Sequence, residues 1–311
     1  MWRSAKFRSL SGAWKAVMVC LWSAGERRPA IVSGRGQGGM QARQSTTGAG
    51  DDPLGAWAGL PVGFRFPPFD ATLTAERQAR YHRLVGIGDE VFGEQADASL
   101  LSHATVAVLR PAGLPVDGRV LLSHDIRQTR PIRLGELVGM QGEILPWADS
   151  PRGRIVHCQF RYRTAAGDEP LRVNMRGLLP DPSATPGPRP APPAEGAAEW
   201  QPVGRLPLTP QAVAAFGAEV GNRIHDDPDF ARARGFRAPI AQGLMQLMAL
   251  YGALAREGRP SRVTFAARFL RPAFWDEELR LEADAARTRY RAVNAGGKAT
   301  VAAAASDLER V

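Results

Sequence analysis

Between Pro239 and Gly258 the apolar residues Ile240, Leu244, Leu247, Met248, Tyr251, Leu254 and Ala255 recur at steps of three and four. That spacing places them on one side of a helix, so the chain predicts a long apolar helix over 240–256, introduced by Pro239 and ended near Gly258. Four shorter runs follow, at 263–270, 278–285, 289–293 and 299–305, the last two joined through Ala295-Gly296-Gly297. Their length, their Val, Thr and Phe content and the glycine turn predict antiparallel strands. One dominant helix followed by a meander implies a sheet wrapped around a helix, an α+β arrangement. Ahead of the long helix, Thr209-Pro210 opens the helical stretch QAVAAFGAEV, and Asp227-Pro228 opens a short helix that Gly235 stops. In both, a capping side chain precedes a proline at the first helical position.

The same order of elements occurs earlier in the chain. Thr74 precedes the helical AERQARYHRL, residues 98–109 form a second and more apolar helical stretch, and strand-like runs follow. Arg130-Pro131 followed by Glu136 returns, at identical spacing, as Arg271-Pro272 followed by Glu277. An internal duplication accounts for both echoes. Between the copies, residues 181–199 are rich in proline and nearly free of large apolar side chains, which makes a semi-rigid extended spacer. The expected division is a basic, disordered N-terminal segment (1–51), a first body (52–180), the spacer (181–199) and a second body (200–311).

Composition alters this picture little. The chain has 311 residues, 44% of them apolar, enough for two cores of ordinary size. The net charge of +9 is concentrated at the start, where residues 1–50 carry eight Lys or Arg against one Glu, while the remainder holds 32 basic and 30 acidic side chains. A balanced body offers no footprint for a phosphate polymer, so nucleic acid is excluded as a partner. The apolar run at 16–22 (AVMVCLW) is too short to span a bilayer. Three readings of the first segment stay open, in this order: an extension ahead of a true start at Met40, a targeting peptide, or a functional basic tail. Cys20 and Cys158 show neither a CxxC nor a Cys/His spacing, which argues against a disulfide framework or a metal site and fits a reducing, cytoplasmic compartment.

The stretch that carries chemistry runs from Phe216 to Gln246, FGAEVGNRIHDDPDFARARGFRAPIAQGLMQ. It resembles the hydratase motif of the MaoC-like and (R)-specific enoyl-CoA hydratase family. In that family an Asp is followed two residues on by Asn, then by an apolar residue, and by a His three after the Asn. A short helix near an Asp-Pro comes next, then Gly-Phe, Pro-Ile and a glycine opening the central helix. Asn222, Ile224, His225, Asp227, Pro228, Gly235, Phe236, Pro239, Ile240, Gly243 and Leu244 match. The RFLRP segment at 268–272 resembles the strand after that helix.

The resemblance covers about the last hundred residues well. It implies two hot-dog domains, each a central helix wrapped by an antiparallel sheet, joined as a pseudo-dimer with a degenerate first copy. It implies an acyl-thioester hydratase or dehydratase, acting on a 2-enoyl-CoA or 3-hydroxyacyl-CoA. One departure stands out: the family's catalytic Asp, five positions before the His, is Val220 here, with Glu219 beside it. Arg223-Ile224-His225 also echoes relatives that act on branched dicarboxylic acyl-CoA esters.

With the whole stretch in register, proton chemistry adds a reason to centre the site on His225. Hydrating an enoyl thioester needs a group that takes a proton from water and returns one to carbon near neutral pH, and an imidazole of ordinary pKa near 6.5 does both. The expected catalytic set is His225, Asn222, Gly243 and Glu219. Gly243 would offer a backbone N–H to the developing enolate oxygen, Asn222 would orient water or His225, and Glu219 would stand in for the missing carboxylate. Ile224, Pro239 and Ile240 are expected to line the acyl site, with Arg237 and Arg268 on the CoA phosphates. No metal or redox cofactor is implied, since the CoA thioester is itself the substrate, and a homodimer of double hot dogs is the expected assembly. The other histidines are read as scaffold: His82 on a solvated helix face, His103 in a helical core, His124 and His157 at surface or edge positions. Two other functions stay open, a dehydratase on acyl-carrier-protein thioesters and a non-catalytic acyl-CoA-binding protein.

Overall fold

The computed structural model describes residues 53–116, 119–181 and 199–311. The basic segment 1–51 and nearly all of the spacer lie outside the described residues. In the first half, helix α1 (Pro53–Ala58) and strand β1 (Phe69–Ala71) precede helix α2 (Ala75–Val85). Two short helices follow, α3 (Ala98–Leu101) and α4 (Ala104–Ala107), and then strands β2 (Val120–Gln128), β3 (Val138–Ser150), β4 (Gly153–Arg163) and β5 (Leu171–Pro180). The second half runs β6 (Trp200–Pro207), α5 (Pro210–Gly217), α6 (Pro228–Ala233), α7 (Gly243–Ala255), β7 (Pro260–Phe269), β8 (Glu278–Asp284), β9 (Arg289–Val293) and β10 (Ala299–Arg310).

Among the described residues ten strands form one antiparallel sheet in the order β1-β3-β4-β5-β2-β7-β10-β9-β8-β6. Read outward from the β2–β7 junction, the two halves have the same order, β2-β5-β4-β3-β1 and β7-β10-β9-β8-β6, as a duplication requires. The repeated Arg-Pro…Glu spacing has a structural basis. In each half the Glu carboxylate accepts the backbone N–H three residues earlier, Arg133 N to Glu136 at 3.0 Å and Phe274 N to Glu277 at 3.1 Å. Just beyond lie matching bridges, Gln95 with Arg133 and Ile240 with Phe274, and matching bonds of 2.8 Å, Ala96 N to Ile132 O and Ala241 N to Ala273 O.

Thr74 and Thr209 cap α2 and α5 through their hydroxyls, as expected. Helix α7 begins at Gly243 rather than at Ile240, because Ile240 is engaged in its bridge to Phe274. From Leu244 to Ala255 every residue of α7 is buried, as befits a helix enclosed on all sides, and it packs against each strand of its own half as well as against α2 and α3.

The first half departs from the expected single helix over 98–109. Ser102 donates its hydroxyl to Ser99 O at 2.7 Å and Thr105 to Ser102 O at 2.8 Å. Side chains that compete for backbone carbonyls interrupt the helix there and leave α3 and α4. Two histidine assignments are also corrected. His82 is buried against Asp97, with Nε2 3.0 Å from the carboxylate, and His124 is fully buried against the Ser102 hydroxyl at 2.9 Å. Both lie inside because the helix and strand that carry them face the junction between halves, which their polar sequence neighbours do not reveal.

Candidate active site

The motif occupies the connection between α5 and α7. From the capping threonine to the bridge residue, the first half takes 21 positions (Thr74 to Gln95) and the second 31 (Thr209 to Ile240). The longer connection in the second half contains a 3₁₀ turn at Arg223–His225 and helix α6.

His225 is buried, and its Nδ1 stands 2.7 Å from Ile240 O. A carbonyl only accepts, so Nδ1 carries the proton and Nε2 keeps its lone pair. Among the described residues no hydrogen bond engages Nε2, and it is not among the buried atoms sealed from solvent without a partner. Burial, partly opposed by the bond to Ile240, pushes the His225 pKa down to about 4, so the ring is neutral at physiological pH.

Asn222 lies at the start of the turn that carries His225. Its Oδ1 accepts Ile224 N at 3.1 Å and its Nδ2 reaches Val116 O of the first half at 3.4 Å, so it caps the turn that presents His225. Ile224 and Ile240 are joined through their backbones, Ile240 N to Ile224 O at 3.2 Å, and Pro239 is buried with its carbonyl accepting Trp275 N. These three residues brace the histidine from behind.

Gly243 opens α7, and its N-cap residue Gln242 makes no side-chain cap, leaving the first N–H groups of the helix without intrahelical partners. A Cβ at Gly243 would stand 2.6 Å from the Phe269 ring. It is Phe269 that demands the glycine.

Glu219 and Val220 line a cavity of about 210 Å³ between the halves, together with Arg77, Leu101, His103 and Ala104. His225 is not among the lining residues. Both oxygens of Glu219 are engaged by arginines of α2, one by Arg77 at 2.7 Å and the other by Arg80 at 2.6 Å. Burial alone would raise its pKa, but the bond and charge of Arg77 hold it below the usual carboxylate range. Glu219 is therefore a fixed anion with both oxygens already held by arginines. Val220 is buried in the cavity wall, and its carbonyl accepts Arg110 at 3.1 Å.

The two arginines expected on CoA phosphates are committed elsewhere. Arg237 pairs with Asp276 at 2.7 Å and Glu277 at 3.2 Å and lies over the Phe274 ring. Arg268 pairs with Asp125 of β2 across the junction of the halves.

Two residues that the sequence did not single out sit at the centre. His103 precedes α4 and is 3% exposed, with Nε2 3.2 Å from Gln242 Oε1. Gln242 Nε2 is buried with no partner. That nitrogen and the His225 ring lie against the same side of Gly217, where an added Cβ would be 3.6 Å from the amide and 3.2 Å from His225 Cβ. Gln242 is thus placed between a histidine of each half. Its position directly before Gly243 was a usable signal, whereas nothing local in the sequence marks His103.

Residues 197–305 match the family model described as MaoC like domain. Among curated proteins none matches the sequence. Among solved structures, HtdX of Mycobacterium tuberculosis superposes with a TM-score of 0.65 at 19% identity, over 76% of this chain and 98% of that one. A MaoC-like dehydratase from Phytophthora capsici gives 0.60 at 15%, over 78% and 95%. A conserved hypothetical protein of M. tuberculosis, described as having a double hotdog fold, gives 0.53 at 14%, over 80% and 96%. Among the described residues no helix is long and apolar enough to cross a membrane. The chain has the double hot-dog fold, and its residues 197–305 are similar to the MaoC like domain.

Proposed function

We propose that the protein is an acyl-thioester hydratase or dehydratase, interconverting a 2-enoyl-CoA and a 3-hydroxyacyl-CoA. The observation that carries this reading is the His225 tautomer, with Nδ1–H fixed on Ile240 O and Nε2 left as a free acceptor. In hydration, Nε2 takes a proton from water as the oxygen adds to the β-carbon, and the imidazolium returns that proton to the α-carbon. The unpartnered N–H groups at the start of α7 support the charge that develops on the thioester oxygen. The CoA phosphates fall to Arg110, which lines an adjoining pocket with Glu219 and Val220, in place of the ion-paired Arg237 and Arg268.

The test is an assay of hydration over short, long and branched dicarboxylic 2-enoyl-CoAs, with an acyl-carrier-protein thioester in parallel. His225→Ala is expected to lose about 10²–10⁴ in turnover, the usual share of an acid–base group, and to keep its fold. A wild type that binds these thioesters but turns none over, with His225→Ala indistinguishable from it, leaves a second reading, the acyl-CoA-binding protein. The observation favouring that one is Val220, an apolar side chain in the cavity wall at the position of the family's carboxylate.

A further inference from the structure

The degenerate first half places its own titratable side chain in the cavity. His103 lines it beside Glu219 and Val220. Its ring is clamped by aromatic neighbours from both halves, Tyr81 with centroids 5.7 Å apart and Phe216 at 5.4 Å in a T-shaped contact. Since Nε2 faces the Gln242 oxygen, that nitrogen carries the proton and Nδ1 keeps the lone pair. Among the described residues Nδ1 has no hydrogen bond, yet it is not among the sealed, partnerless atoms.

Gln242 supplies the second observation. It is 6% exposed, and among the described residues its Nε2 is buried without a partner, an arrangement that is destabilising when nothing offsets it. The equivalent residue of the first half, Asp97, is fully satisfied: it bonds His82, Ser99 N and the Ser99 hydroxyl. Phe216 touches the His103 ring, and a Cβ added at the next residue, Gly217, would meet His225 Cβ at 3.2 Å. The two imidazoles therefore flank one turn of α5, each with an acceptor nitrogen unclaimed by the protein.

We propose that His103, held by Gln242, is a second catalytic residue that takes the water-holding role of the carboxylate absent at Val220. The nucleophilic water gives one hydrogen to His225 Nε2 and keeps the other, hydrogen-bonded to His103 Nδ1. One C–O bond forms as one O–H bond of water breaks. The electron pair of the double bond passes to the thioester oxygen, and the proton on His225 then closes the α-carbon–hydrogen bond. One water is consumed and no co-reactant is needed. The proposal rests on the hydratase reading above and adds the N-terminal half to its chemistry.

Two measurements on the full chain test it. In the hydration assay, His103→Phe keeps the aromatic packing and is expected to lower kcat at least about a hundredfold with KM within threefold. His103→Asn, which retains a hydrogen-bonding group, is expected to recover part of that loss. A His103→Phe enzyme that is folded and within threefold of wild-type kcat overturns the proposal. Independently of turnover, wild type with ¹⁵N-labelled histidine is titrated with crotonyl-CoA. The imidazole signals of His103 and His225 are expected to shift together. A shift of His225 alone removes His103 from the site while sparing the hydratase reading, and no shift of either overturns both.

Discussion

At the scale of single residues, Gly217 shows how closely the site is built. It ends α5, where alanine would ordinarily favour the helix by up to about 1 kcal/mol. A Cβ there would stand 3.2 Å from His225 Cβ, tighter than ordinary contact, and an ordinary 3.7 Å from Cδ2, so His225 must shift by a few tenths of an ångström. The helix gain and the steric push oppose each other in stability, but only the push acts on the chemistry. Gly217→Ala is therefore expected to leave the thermal midpoint within a few degrees of wild type and to lower kcat about tenfold, read by the same hydration assay. A kcat unchanged by this substitution would show that His225 tolerates displacement and is not held for catalysis.

At the scale of elements, the two halves use the same station differently. Asp97 caps α3, accepting Ser99 N at 2.8 Å and the Ser99 hydroxyl at 2.6 Å while also holding His82. Gln242, at the equivalent station before α7, caps nothing. The first half spends this position on stability and the second leaves its helix start open. Asp97→Ala removes a cap and strands two buried partners, so it is expected to cost at least about 2 kcal/mol in urea unfolding. Gln242→Ala, which releases one weak bond of 3.2 Å to His103, is expected to cost less than half as much. Equal losses would contradict the division of labour between the two helix starts.

At the scale of the whole molecule, the halves meet through one strand pair and a buried polar seam. Strands β2 and β7 pair from Ser123–Arg268 to Gln128–Val263, and beside them His103, His124 and His225 are buried as neutral rings. Desolvation pushes His103 and His225 down to about 4 and His124 to about 3. Because the folded pKa values lie below the unfolded value near 6.5, the unfolded chain binds protons first as pH falls. Stability is thus complete above about pH 6.5 and declines toward pH 4, each ring contributing a slope of up to about 1.4 kcal/mol per pH unit. The urea midpoint is expected to fall across this window, and His124→Gln to flatten the fall. A midpoint that stays level from pH 6.5 to 4.5 would show that these rings charge freely in the folded protein.

Much of the architecture was written locally. Helix caps at Thr74, Thr209 and Asp227, the three- and four-residue steps of α7, the glycine turn before β10 and the repeated Arg-Pro…Glu are short-range features, and short-range physics sets them. Duplication and sheet-around-helix layering follow from their order. The placement of His225 and Asn222 on one turn was legible for the same reason, because both belong to a single stretch of chain. What the sequence left undecided depends on residues far apart along it. Glu219 is bound by Arg77 and Arg80, 142 and 139 positions away, and Arg268 by Asp125, 143 away. His103 meets Gln242 across 139. Each of these groups has an ordinary local environment, and its charge, tautomer and burial are fixed only when the two halves close on one another, since hydrogen bonds and desolvation act over a few ångströms of space regardless of separation along the chain.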